Sequence, residues 1–322
     1  VGERVSRRAG GAIDSRCSVE DQKRYYSFAR FLLQRYGERV SKISVDAGWT
    51  CPNRDGRCGV EGCLFCRVDS FSRMESLQQI PVAQQVESGV QRGRQKGVNK
   101  FIVYFQASTN TYAPVTALRS VFLQAASFPD VVGVSIATRP DCLGEELMPL
   151  LTELAERVDV WIEVGLQSVH DRTLQLVRRG HTYADFEQAV QRLSHLPVRV
   201  CVHLMLGLPG EDHAMMMETA ERLAQLPVHE LKLHPMLVLK DTAAERLYRQ
   251  SAYRALELDE YVELLIDFLQ RTPADRVLQR VTAEAPAELL IAPLWPLHKA
   301  RVHSALQREM ERRNARQGRL CV

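Results

Sequence analysis

The stretch 131-VVGVSIATRPDCLGEELMPLLTELAERVDVWIEVGLQ-167 sets two continuous apolar runs, 131–138 and 158–166, around a helical pattern at 143–156. A short run of Val, Ile and Ala without polar alternation suits a strand covered on both faces, which is the situation of a strand in a parallel sheet. The same unit recurs on either side. "ISVDAGW" (43–49) and "FIVYFQ" (101–106) precede it, and "VRVCVHLMLGL" (198–208) and "ELKLHPMLVL" (230–239) follow, with helical patterns at 183–194 and 214–225 between them. Strand–helix alternation with short connections predicts an α/β fold built on a parallel sheet. Six such units are too few for a closed eight-fold barrel and fit either a partial, open barrel or a doubly wound sheet. Ahead of the first strand, residues 18–36 predict a helix. Ser18 and Asp21 form a capping-box pattern there, and Phe28, Phe31, Leu32 and Tyr36 recur on one face.

In either architecture chemistry gathers at the carboxyl ends of the strands. The unusual polar residues fall there: Gln106, Ser108 and Asn110 after the second run, and Thr138, Arg139 and Asp141 after the third. Glu163 and Gln167 lie in and just after the fourth, and His203 and Glu211 flank the end of the fifth. A single polar residue at a strand end is usually a turn or a cap. Several strand ends on one rim suggest a site.

The loop after the first run reads "TCPNRDGRCGVEGCLFC" (50–66) and holds Cys51, Cys58, Cys63 and Cys66, half of the eight cysteines in 322 residues. Nothing near eighteen consecutive apolar residues occurs, which argues against a membrane helix, and the first residues lack the apolar core of a signal peptide. The expected compartment is the reducing cytoplasm, where clustered thiols ligate metals more often than they pair. Zinc would usually present two close cysteine pairs. Here only Cys63 and Cys66 form one, which favours an iron–sulfur cluster, whose ligands reach separate irons of a larger object, without removing zinc. The net charge of +3 is spread unevenly. Residues 88–100 carry Arg92, Arg94, Lys96 and Lys100 with no acid, and 299–319 carry seven Lys/Arg against Glu309 and Glu311. Such segments suit RNA, or are solvated helix faces.

Read together, "CPNRDG", "GCLFC", "YFQASTNTYAP", "SIATRPDCL", "IEVGLQSVHDRTLQLVRRGHT", "HLMLGLPGE" and "ELLIAPLWPLHKARV" resemble, in order, the radical S-adenosylmethionine superfamily. More closely they resemble its YhcC/YtqA-like family, related to the radical domain of the elongator catalytic subunit. The resemblance implies a partial (βα)6 barrel over 41–240, with a helical segment at 1–40 and a helical extension at 241–322. It implies Cys51, Cys63 and Cys66 as ligands of a [4Fe–4S] cluster, and leaves Cys58 without a role. It also implies that S-adenosylmethionine binds the open iron and is cleaved to a 5′-deoxyadenosyl radical, with an electron donor such as flavodoxin or ferredoxin. Gln106 would meet its amino group, Glu163 and Gln167 its ribose or carboxylate, and Leu206 and Gly207 its adenine, with Thr138 and Arg139 as further contacts. The elongator relative acts on the wobble uridine of tRNA, so tRNA is the implied substrate. With some fifty residues after the last helical pattern at 257–270, acetyl transfer is not expected. A small-molecule substrate, or a non-catalytic iron–sulfur or zinc protein, are the alternatives.

Other residues have a plainer reading beside a functional one. In "RRGHT" (178–182), Gly180 fits a left-handed position at a helix end with His181 near the dipole, in preference to a substrate contact. His203 points either into the barrel mouth or into a hydrogen-bonded core. Asn110, Tyr112 and Leu297–Lys299 are candidates for touching substrate. Met215–Met217 reads as packing.

Overall fold

The computed structural model describes residues 23–67, 80–106 and 108–321. Seven parallel strands form one sheet: β1 (Val40–Val45), β2 (Lys100–Phe105), β3 (Val131–Thr138), β4 (Asp159–Gln167), β5 (Arg199–Leu206), β6 (Glu230–Pro235) and β8 (Val277–Arg280). The first six are hydrogen-bonded in chain order and β8 follows β6, so the sheet runs around without reversing. It ends at β1 on one side and β8 on the other, an open half-barrel: one of the two architectures the alternation allows, and the one the resemblance implies. A second sheet pairs β7 (Val238–Leu239) antiparallel with β9 (Leu290–Ala292).

Helices cover the outer face. α1 (Phe28–Tyr36) precedes β1; α2 (Val82–Arg94), α3 (Val115–Ala126) and α4 (Met148–Ala155) join β1 to β4 in turn. α5 (Asp171–Leu176) and α6 (Tyr183–Leu193) lie between β4 and β5, and α7 (His213–Ala224) before β6. α8 (Ala243–Arg249), α9 (Leu258–Gln270) and α10 (Lys299–Arg312) belong to the C-terminal part. The main core lies between helices and sheet. Outward residues Val103, Phe105, Val134, Ile136, Ile162, Val164, Val202 and Leu204 meet helix residues such as Phe122, Leu151, Phe186 and Phe268 there.

Two expectations change. The helix starts at Phe28, where the Ser27 side chain accepts from the Arg30 amide; the Ser18–Asp21 capping box lies outside the described residues. The segment after 240 also gives more than helices, since its β8 extends the main sheet. β8 is four residues, VLQR, too short and too polar to stand out as an apolar run.

α1 also closes one end of the barrel. Phe31 and Leu32 pack on Ile102, Trp161 and Val277, all near the amino ends of their strands, and Ser27 bridges to Leu278 on β8. With that mouth stoppered by aromatic side chains, access to the lumen is left to the carboxyl end and to the gap between β1 and β8.

Candidate active site and metal centre

The loop after β1 is pinned at its cysteine pair. The Leu64 amide donates to the Val177 carbonyl (3.0 Å), and the Leu64 carbonyl accepts from the Ala244 amide (2.9 Å). Leu64 and Phe65 are buried against Val177, Leu208, Met236 and Ala244, so apolar packing holds the Cys63 and Cys66 backbone over the carboxyl end of the barrel. Within the loop, Arg54 N bonds the Cys51 carbonyl (2.8 Å) and Gly62 N bonds the Asn53 carbonyl (2.8 Å).

Cys51, Cys63 and Cys66 line one cavity of about 220 Å³ together with Gln106, Thr138, Arg139, Glu163, Gln167 and His203. Cys58 is exposed and lies outside that lining. Among the described residues no three His, Cys, Asp or Glu side chains are grouped to hold a metal ion as they stand, whereas ligands of a four-iron cluster each reach a different iron. The sulfurs are met by N–H groups. Asn53 Nδ2 lies 3.3 Å and Arg179 Nη1 3.2 Å from Cys63 Sγ, and Arg54 Nη2 lies 3.6 Å from Cys66 Sγ while donating to the Cys66 carbonyl at 3.0 Å. One amide and two guanidinium donors suit thiolates and a negatively charged cluster.

Gln167 supplies the second ground for a cofactor here. Its φ of 82° is left-handed in a non-glycine residue, at the point where the β4–β5 register slips between Gly165 and Gln167. Among the described residues its carboxamide Oε1 is buried without a hydrogen-bond partner. Both are costly unless a ligand completes the site. The ammonium or ribose hydroxyls of S-adenosylmethionine are donors of the kind that oxygen lacks.

The other predicted contacts stand as follows. Gln106 lines the cavity. Thr138 bonds the Thr111 hydroxyl, and the buried Arg139 is held by Asp141 at 2.9 Å through both Nε and Nη2. Glu163 lines the cavity, but its carboxylate is already taken. Its carboxylate meets Lys42 Nζ (2.7 Å), Ser135 Oγ (2.6 Å), His203 Nε2 (2.8 Å) and Lys232 Nζ, which leaves no free acceptor for a ribose. Leu206 and Gly207 are absent from the cavity lining. Strand alternation turns Leu206 into the outer core and Met205 inward, while the Gly207 carbonyl accepts from Tyr253 (2.9 Å). Asn110 also leaves the list of substrate contacts, because its Nδ2 ties the Phe105 and Ala137 carbonyls at the ends of β2 and β3. Met216 and Met217 are buried packing, as read.

Burial tends to raise the Glu163 carboxyl, but Lys232, Lys42 and the His203 hydrogen bond overcome it and hold the group well below the usual range. Burial, aided by Lys232, lowers His203 to about 4. Its two sequence readings are both met: it lines the cavity and is hydrogen-bonded in the lumen. Burial, with Arg179 and Arg139 nearby, lowers His181 to about 2, so it is neutral.

Several site residues escape the sequence reading. "RRGHT" does more than end a helix. Gly180 has a φ of 69°, and a side chain there would meet Asn53 Oδ1 at 2.5 Å, while Arg179 reaches Cys63. Lys42 and Lys232 line the lumen, and each interrupts an apolar run in "VSKISV" and "ELKLHP"; a charge at an inward strand position was the available signal. Of the two basic segments, Arg94 is paired with Asp130, Lys100 with Glu38 at 3.1 Å, and Arg312 and Arg313 with Glu309.

Residues 54–223 match the Radical SAM superfamily, and residues 228–312 match the Radical_SAM C-terminal domain. The chain belongs to the radical SAM superfamily. It is similar to YtqA of Bacillus subtilis, 39% identical over 92% of this chain and 93% of that protein. It is also similar to the tRNA uridine(34) acetyltransferase of Methanocaldococcus jannaschii, 29% identical over 50% of this chain and 30% of that protein. Among solved structures, archaeal Methanocaldococcus infernus Elp3 lacking its N-terminus superposes with a TM-score of 0.69, at 17% identity, over 86% of this chain and 64% of that one. That likeness bears out the half-barrel. As a radical SAM protein the chain uses a [4Fe–4S] cluster and S-adenosylmethionine. Among the described residues no helix is long and apolar enough to cross a membrane.

Proposed function

We propose that this radical SAM enzyme modifies tRNA in the cytoplasm, at the side chain of a wobble uridine. Cys51, Cys63 and Cys66 hold the cluster, and Gln106, Thr138, Arg139 and Gln167 hold S-adenosylmethionine beside it. Cluster and S-adenosylmethionine together supply reductive cleavage of the sulfonium C–S bond and, through it, hydrogen abstraction. The chain's own residues do the rest. Asn53, Arg54 and Arg179 fix the sulfurs, Gln167 orients the cofactor's donor groups, and the packed Leu64–Phe65 segment excludes water from the cluster loop. An external one-electron donor such as flavodoxin or ferredoxin completes the cycle.

The observation that carries the tRNA reading is the relation of half the chain to a protein named tRNA uridine(34) acetyltransferase. Exposed Arg92 and Lys96, together with cations at the β1–β8 gap, agree with a polyanionic partner. Nucleoside mass spectrometry of tRNA from a strain lacking the gene tests it. The reading predicts loss of one wobble-uridine modification, restored by the wild-type gene and not by Cys63→Ala. An unchanged nucleoside profile contradicts it.

A further inference from the structure

Beside the cofactor cavity, at the gap between β1 and β8, lies a larger one of about 540 Å³, within the range of ligand sites. Its lining includes Lys23, Arg39, Lys42, Lys232, Arg280 and Lys299, against Glu284 as the carboxylate. Tyr104, Gln106, Arg280 and Glu284 line both cavities, so the two share a wall or doorway.

Arg280 is the unusual member. It is half-buried, and among the described residues it makes no hydrogen bond or ion pair. The other arginines lining the cofactor cavity are all engaged: Arg54 by the Cys66 carbonyl, Arg139 by Asp141 and Arg179 by the Gly165 carbonyl. The acids nearby are already committed. Glu284 pairs with Lys299, and Glu163 is surrounded by Lys42, Lys232 and His203. His234, half-buried beside Arg280 and His203, is held neutral and brings no negative charge. A partly desolvated guanidinium without a counter-charge is unfavourable, and its planar fork matches phosphate oxygens in bidentate fashion.

We propose that Arg280 anchors a phosphate subsite at the β1–β8 gap, taking the phosphate of a nucleotide whose base reaches the cofactor cavity through the shared doorway. Arg39, exposed farther along the same opening, supplies the additional positive charge that a nucleic-acid backbone calls for and a lone carboxylate would not. The proposal rests on the tRNA reading and assigns where that substrate enters.

The test compares uridine 5′-monophosphate with uridine, by calorimetry on the anaerobically prepared, cluster-containing protein, in the wild type, Arg280→Gln and Arg280→Lys. The subsite predicts that the monophosphate binds wild type at least tenfold more tightly than the nucleoside. Arg280→Gln should erase that preference, and Arg280→Lys should retain part of it. Equal binding of the two by wild type overturns the proposal without recourse to any variant, as does a preference that survives Arg280→Gln in protein of unchanged iron content. Total tRNA, titrated in parallel, separates the two ideas. Equal tRNA affinity in wild type and Arg280→Gln overturns the subsite and leaves the tRNA reading in place. Arg280-dependent binding of the monophosphate without any tRNA binding upholds the subsite and ends the tRNA reading.

Discussion

At the scale of single residues, Gln167 combines a left-handed backbone with a buried carboxamide oxygen that has no partner among the described residues, and each costs about 1–3 kcal/mol without compensation. A bound cofactor that donates to this oxygen offsets part of that cost. Gln167→Ala should therefore weaken S-adenosylmethionine binding about tenfold, leave iron content unchanged, and if anything stabilise the cofactor-free protein, since an orphaned polar atom is removed. Calorimetric affinity and bound iron, measured on the same preparations, check this; unchanged affinity refutes the role. The thiols give a sharper contrast. Cys51→Ala, Cys63→Ala and Cys66→Ala should each abolish the cluster's absorbance, while Cys58→Ala, at an exposed position outside the cavity, should keep it. Loss of iron in Cys58→Ala alone would reverse the ligand assignment.

Among elements, the cluster loop and the turn between α5 and α6 act as a pair. Gly180 sits at that turn with a φ of 69°, and a Cβ there would lie 2.5 Å from Asn53 Oδ1 and 3.1 Å from Cys58 Cβ. Gly180→Ala should cost about 2 kcal/mol in global stability, from backbone strain together with displacement of the loop. Iron occupancy should fall with it, because Asn53 and Arg179 both reach Cys63 from this contact. Gly97 has a similar φ of 71° but open space around it, so Gly97→Ala should lower stability and leave occupancy intact. Paired measurements of iron content and urea unfolding separate the two. The sequence is most readable where a strand is largely apolar and uncharged, and β3 matches its run at both ends. It is least readable where lumen residues are polar. Lys42 breaks β1, so the strand starts at Val40 and not at Ile43, and β8 carries Gln279 and Arg280 in only four residues. The thiols and Gln167 stand out by residue type and strand-end position. Arg179, Lys232 and Arg280 do not, because their significance comes from neighbours far away in the chain.

For the whole molecule, the barrel encloses ionisable groups that bear on its stability as pH changes. His203, drawn down to about 4, His181, to about 2, and His234, well below the ordinary value, are neutral when folded, each chiefly through burial. In the unfolded chain they take up protons as pH falls below about 6.5. Their contribution is thus fully present above that pH and is lost with acid until the folded values are reached. Unfolding free energy should drop by about 1 kcal/mol per histidine for each pH unit between 6.5 and 5. His203→Gln should make the slope shallower by one histidine's share, and equal slopes in wild type and variant would contradict this. The central claim is that this half-barrel holds a cluster on Cys51, Cys63 and Cys66 and uses it to cleave S-adenosylmethionine reductively. Chromatography of S-adenosylmethionine incubated anaerobically with the dithionite-reduced protein tests it most directly. The account predicts 5′-deoxyadenosine and methionine in equal amounts from wild type and from Cys58→Ala, and neither from Cys63→Ala. S-adenosylhomocysteine without 5′-deoxyadenosine, or no cleavage by a protein whose metal is entirely zinc, would contradict it.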